Sequence, residues 1–193
     1  MKTADAFTLT RIIFAPIFFL LYFIPEWTGF GASISIYILI PALIFAEFTD
    51  FLDGYYARKH HVVSDFGKIF DPFADVLLHL TTFYCYVLSG YMPTFLFILI
   101  LYREFGMLFI RQVASGKGVV IGARKGGKFK TVLYVVAGMF SLFIESTLRL
   151  GINGINVEVC QHIGIGLYVL CVVASYASFI DYLVHFGGLL KDN

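Results

Sequence analysis

Asp50-Phe-Leu-Asp53-Gly54-Tyr-Tyr-Ala57-Arg58 and, after eight residues, Gly67-Lys-Ile-Phe-Asp71-Pro-Phe-Ala-Asp75 set four carboxylates into a strongly apolar chain. On a helix that turns about 100° per residue, Asp50 and Asp53 point one way, and Asp71 and Asp75 likewise share a face of the next helix. The spacing therefore predicts two helical carboxylate pairs that converge across one turn. Unneutralised, four such groups at close range in a low dielectric would repel and be driven to protonate, so their natural partner is a cation. Hard oxygen ligands suit Mg2+ or Mn2+, and four shared carboxylates have room for two ions.

The surrounding chain decides the setting. With 59% hydrophobic and 18% aromatic residues and a mean hydropathy of +0.84, 193 residues are too apolar for an ordinary soluble domain. They read as a single membrane domain, 1–193, with membrane lipids around it and no nucleic-acid partner. Cys85, Cys160 and Cys171 lack paired or metal-ligand spacing and read as packing residues.

Six spans are expected, giving an all-α integral membrane protein. The first starts near Phe7 around the apolar run Ile12–Ile24, preceded by a short interfacial segment. Pro25, Glu26 and Trp27 follow where a signal peptide would show a small-residue cleavage site, so the span is read as retained. A second runs from about Ser33 to Arg58, with Glu47, Asp50 and Asp53 at successive intervals of three. That acidic face must look into the protein or an aqueous cavity, and Glu47 is expected to partner a basic residue such as Arg11 or Arg103. The third starts near Asp71, the turn Ser89–Pro93 leads to a fourth ending near Gln112, and no Asp, Glu, Lys or Arg occurs from Val76 to Tyr102. The last two run from about Lys128 to Thr147 and Val159 to Phe186. With this topology every Lys and Arg except Arg149 falls in one half, which argues that both termini, and the acidic stretch, lie on the cytoplasmic side of the cell membrane.

A basic set shares that half. Arg103 and Arg111 stand on the fourth span, and Lys128 and Lys130 open the fifth, near a helix N-terminus. Arginine grips phosphate through a planar fork and lysine as a point charge, so these helix ends suit an anionic substrate. Lys2, Lys59, Lys117 and Lys191 read instead as positive-inside anchors. His79, one turn beyond Asp75, reads as part of a polar patch between helices.

The pattern D-x2-D-G-x2-A-R-x8-G-x3-D-x3-D resembles the signature of the CDP-alcohol phosphotransferases, integral membrane enzymes of phospholipid synthesis. Asp50, Asp53, Gly54, Ala57, Arg58, Gly67, Asp71 and Asp75 meet all of its fixed positions. Acids lining a solvated loop would not need Gly54, Ala57 and Gly67 at fixed offsets. Arg103-Glu104, Arg111 and Gly-Lys128-Phe-Lys130-Thr, with Thr8-Leu-Thr-Arg11, look like the phosphatidylglycerophosphate-forming branch of that family.

The resemblance implies a mechanism. CDP-diacylglycerol would place its pyrophosphate at metals held by Asp50, Asp53, Asp71 and Asp75, with its nucleotide against Gly54, Ala57, Arg58 and Gly67. Glycerol 3-phosphate would rest its phosphate on Arg103, Arg111, Lys128 and Lys130, with Asp75 as general base. A homodimer is also implied, and Gly164, Gly166, Ala174 and Ser178 would permit close helix contact. Asp5 and Val76 differ from the branch's usual asparagine and lysine, which leaves open a sibling transferase with another acceptor, such as inositol phosphate, serine, choline or phosphatidylglycerol. A divalent-cation transporter is the alternative from another class; it leaves Gly54, Ala57, Arg58 and Gly67 unexplained.

Overall fold

In lipid a chain must satisfy its backbone groups internally, and every apolar run of this chain does so by closing into a helix. The computed structural model describes residues 3–60, 65–119, 121, 122 and 125–190, with backbone alone at residues 3–7, 50–60, 65–69, 125, 189 and 190. Six α-helices follow one another: α1 (Thr3–Thr28), α2 (Ala32–His60), α3 (Asp65–Leu88), α4 (Thr94–Gly116), α5 (Lys125–Arg149) and α6 (Val157–Phe186), then a 3-10 turn at Gly187–Leu190. The described residues contain no strand. By length and composition α1, α2, α5 and α6 are able to cross a membrane. At 24 and 23 residues α3 and α4 have the length too, but carry charges.

Two boundaries differ from expectation for one reason. The N-terminal segment is continuous with α1, which runs unbroken from Thr3, and α3 begins at Asp65, well before Pro72. Pro16, Pro25, Pro41 and Pro72 all sit inside helices. Each forfeits one hydrogen bond, whereas ending the helix in an apolar setting would strand several.

α1 packs along α2 and α3, α5 packs along α6, α4 rests on α3 and α6, and α5 also meets α2 and α3. At the centre Phe18, Tyr22, Phe83, Tyr86, Tyr134 and Tyr168 are buried. The Phe83 ring stands edge-on to Tyr134 and to Tyr168, with centroids 5.3 Å apart in each case. Outside, Phe45, Phe95, Phe105, Phe109 and Val184 are exposed, as side chains meeting lipid are. The small residues of α6 are partly spent inside the chain. A Cβ on Gly164 would already touch the Phe140 ring at 3.7 Å, and Ser178 is buried. α4 and α6 cross so closely that a Cβ on Gly106 would come within 3.1 Å of the Phe179 ring.

A polar network closes the end where α5 meets the α6 connection. Arg149 donates from Nε to Glu145 (2.5 Å), from Nη1 to Ser35 Oγ (2.7 Å) and from Nη2 to the Tyr22 carbonyl (2.8 Å), and lies over the Tyr22 ring. The Tyr91 hydroxyl, in the α3–α4 turn, donates to the other Glu145 oxygen. Burial, then the carboxylate beside it, raise the Tyr91 phenol above its ordinary pKa, so it remains a donor.

Candidate active site

At the opposite end, the start of α3, the end of α4, the start of α5 and the end of α6 surround a cavity of about 580 Å³. Asp71 and Asp75, one turn apart on α3, line it together with Arg103 and Arg111 of α4 and Lys128 and Lys130 of α5; His79, Glu104 and Tyr134 line it as well. The structure thus brings together six of the residues read from sequence. Asp50, Asp53, Gly54, Ala57 and Arg58 fall on α2 and Gly67 on α3, where backbone alone is described, so their side chains lie outside the described residues.

The two α3 carboxylates are held from behind by α1. Thr8 donates its hydroxyl to Asp71, and Arg11, itself 1% exposed, donates from Nη1 to Asp75 while Nη2 lies 3.8 Å from Asp71. A guanidinium buried in an apolar helix requires such partners. Both carboxylates still open toward the cavity, with side chains 41% and 34% exposed. Aimed oxygens of this kind are the donors that Mg2+ or Mn2+ prefers, so the described half of the acidic set fits a hard divalent ion. No group of three His, Cys, Asp or Glu suited to a metal occurs among the described residues; Asp50 and Asp53 lie outside that set.

The basic wall is unequal. Arg103, 3% exposed, gives Nε to the Ser175 carbonyl (2.9 Å), Nη1 to Glu104 (2.9 Å) and Nη2 to Ser178 Oγ (3.4 Å), so it clamps α4 to α6. Glu104 Oε1 also accepts from Lys130 Nζ at 2.8 Å and from the Tyr134 hydroxyl at 2.9 Å, and Lys130 lies 4.5 Å above the Tyr134 ring. This one oxygen gathers α4 and α5 around the Lys130 charge. Arg111 differs: its Nε is buried and has no hydrogen-bond partner among the described residues, although it borders the cavity. Lys128 is exposed. A buried guanidinium nitrogen without a partner is costly, and an anion in the cavity would satisfy it.

Sequence reasoning left Arg11, Glu104 and Tyr134 without a role in the site. Arg11 had a signal, since a cation inside an apolar helix needs an internal anion. Tyr134 had none, being one aromatic among many. Glu47, expected to partner a basic residue such as Arg11 or Arg103, faces His79, with Oε1 3.4 Å from Nε2, and Arg11 also acts on its charge.

An apolar helical bundle that gathers carboxylates and basic side chains around one cavity suits a membrane-embedded enzyme acting on phosphorylated substrates. The chain belongs to the CDP-alcohol phosphatidyltransferase family, whose sequence profile matches residues 1–181. It is 42% identical to the CDP-diacylglycerol–glycerol-3-phosphate 3-phosphatidyltransferase of Treponema pallidum (strain Nichols), over 99% of this chain and 92% of that protein. Proteins of the same name from Bacillus subtilis (strain 168) and Rickettsia typhi (strain ATCC VR-144 / Wilmington) are 38% and 33% identical. The first alignment covers 67% of this chain and 70% of the relative, the second 89% and 92%.

Proposed function

We propose that the chain transfers the phosphatidyl group of CDP-diacylglycerol to glycerol 3-phosphate, forming phosphatidylglycerophosphate and CMP in phospholipid biosynthesis. The observation that supports this reading most is that one cavity is lined both by carboxylates and by an arginine whose buried Nε has no hydrogen-bond partner among the described residues. The relatives' shared name agrees with it.

In this reading the phosphate of glycerol 3-phosphate binds Arg111 and Lys128. Lys130 is presented from Glu104, and Arg103 holds the wall in place. The acceptor's primary hydroxyl attacks the β-phosphorus; the new P–O bond replaces the one to the α-phosphate, and CMP leaves with that electron pair. Asp75, oriented by Arg11, takes the hydroxyl proton. Asp50, Asp53, Asp71 and Asp75 hold two Mg2+ or Mn2+ ions. Bound there, the ions supply charge neutralisation for the pyrophosphate and the departing nucleotide. Gly54, Ala57, Arg58 and Gly67 receive the nucleotide.

All six helices cross the cell membrane in this reading, both termini and the cavity face the cytoplasm, and the protein is a homodimer. The basis for the orientation is the distribution of Lys and Arg.

The test is CMP release by purified protein in detergent with CDP-diacylglycerol, Mg2+ or Mn2+, and a panel of acceptors. Release is expected with glycerol 3-phosphate, and Asp75→Asn should lower it roughly 100-fold or more. Release with a different acceptor alone would overturn the substrate assignment. Metal flux into liposomes without CMP release would overturn the transferase reading.

A further inference from the structure

Two largely buried ionisable side chains, of which His79 lines the cavity, have no part in the chemistry above. Glu47 on α2 and His79 on α3 face each other, with Oε1 and Nε2 3.4 Å apart and side chains 17% and 11% exposed. Their places in the chain are related. Glu47 stands three residues before Asp50, and His79 four after Asp75, so each lies one turn further into the bundle than a carboxylate on the same helix face.

α2 and α3 carry the two halves of the acidic set, yet both pack along α1 and both meet α5. The Glu47–His79 pair reaches directly from one to the other. Its geometry is braced: the imidazole stands edge-on to Tyr134 at 5.6 Å and tilted to Phe83 at 6.4 Å. Tyr134 is itself tied to Glu104. Nε2 is buried and, among the described residues, the Glu47 carboxylate at ion-pair distance is what it faces. Arg11, Asp75 and Lys130 are the other charges acting on the pair.

Two polar side chains buried between apolar helices do not improve stability over two well-packed apolar ones. Their value must lie in the geometry they impose. We propose that Glu47 and His79 form a strut that fixes the separation of α2 and α3, and through it the affinity of the acidic set for a divalent cation. In this proposal both act through the acidic set, as positioning residues. The inference rests on the metal-binding reading of Asp50, Asp53, Asp71 and Asp75.

The experiment is direct Mn2+ binding to the purified full chain in detergent without substrates, followed by the electron paramagnetic resonance signal of free Mn2+. Glu47→Ala and His79→Ala are each expected to weaken binding roughly tenfold, the effect typical of groups that support metal ligands. Glu47→Gln, which keeps the length and an acceptor, should stay within about twofold of wild type. In CMP-release assays the Ala variants should need more Mn2+ while the KM for glycerol 3-phosphate is unchanged. Should the Ala variants not fold, the exchanged pair Glu47→His with His79→Glu decides, being expected to bind more tightly than either half of the exchange. Wild-type affinity in the Ala variants, or an exchanged pair no better than its halves, would overturn the strut. If wild type does not bind Mn2+, or Asp71→Asn binds it as tightly as wild type, the metal-binding reading fails instead.

Discussion

Residues of one chemical type divide their labour here by what surrounds them. Arg103 and Arg111 sit on the same helix and line the same cavity, and sequence reading gave them one role. Their partners separate them: Arg103 spends three nitrogens on Ser175, Glu104 and Ser178, whereas Arg111 keeps a buried Nε without a partner among the described residues. Their substitutions should therefore fail in different assays. Arg111→Ala removes a charge-assisted phosphate contact worth about 2 kcal/mol, and should raise the KM for glycerol 3-phosphate roughly 30-fold with little change in thermal unfolding. Arg103→Ala breaks a buried pair and should cost about 3 kcal/mol of stability. A KM effect from Arg103→Ala at unchanged stability would reverse the assignment. That Lys and Arg gathered near the acids was legible in the sequence. Which of them were already engaged was not, because Ser175 and Ser178 lie more than seventy positions from Arg103 and carry no distinguishing pattern.

At the scale of elements, the helices were legible and their ends were not. Apolar runs bounded by Pro25, Pro93 and the glycine-rich turn at Gly151–Gly154 mark the elements, while the early start of α3 is invisible because Pro72 looks like a first-turn proline. The connection at the far end escaped similarly. The four-residue interval from Glu145 to Arg149 is visible, but their bonds to Tyr22, Ser35 and Tyr91 join three other stretches of the chain. This network ties α1, α2 and the α3–α4 turn to α5, at the end away from the cavity. Arg149→Leu leaves Glu145 buried without its cation, and should destabilise the bundle by roughly 3–5 kcal/mol. Adding Glu145→Leu removes the stranded charge and should recover most of that loss. CMP release per folded molecule should be unchanged in both, as neither residue borders the cavity. If the double variant unfolds as readily as Arg149→Leu, the network contributes through its hydrogen bonds and not through charge balance.

For the whole molecule, the question is which way the cavity faces. Cavity and network occupy opposite ends; among the residues whose side chains are described, Arg103, Arg111, Lys128 and Lys130 line the cavity and Arg149 belongs to the network. Cytoplasmic segments retain Lys and Arg, and the proposed orientation, with the cavity facing the cytoplasm where nucleotides and sugar phosphates are made, rests on that rule. Two exposed positions test both the orientation and the number of crossings. Ser115 ends α4 at the cavity side, and Asn153 lies in the turn between α5 and α6. Cys85 and Cys171 are buried, so a chain with Cys160 changed to Ala offers little background to a membrane-impermeant maleimide. Ser115→Cys should be labelled in inverted vesicles and not in intact cells, and Asn153→Cys the reverse. Labelling of both from one side would mean that α5 does not cross. The exchanged pattern would place the cavity outside, away from the cytoplasmic supply of acceptor, and the transferase reading would then need an external source of glycerol 3-phosphate.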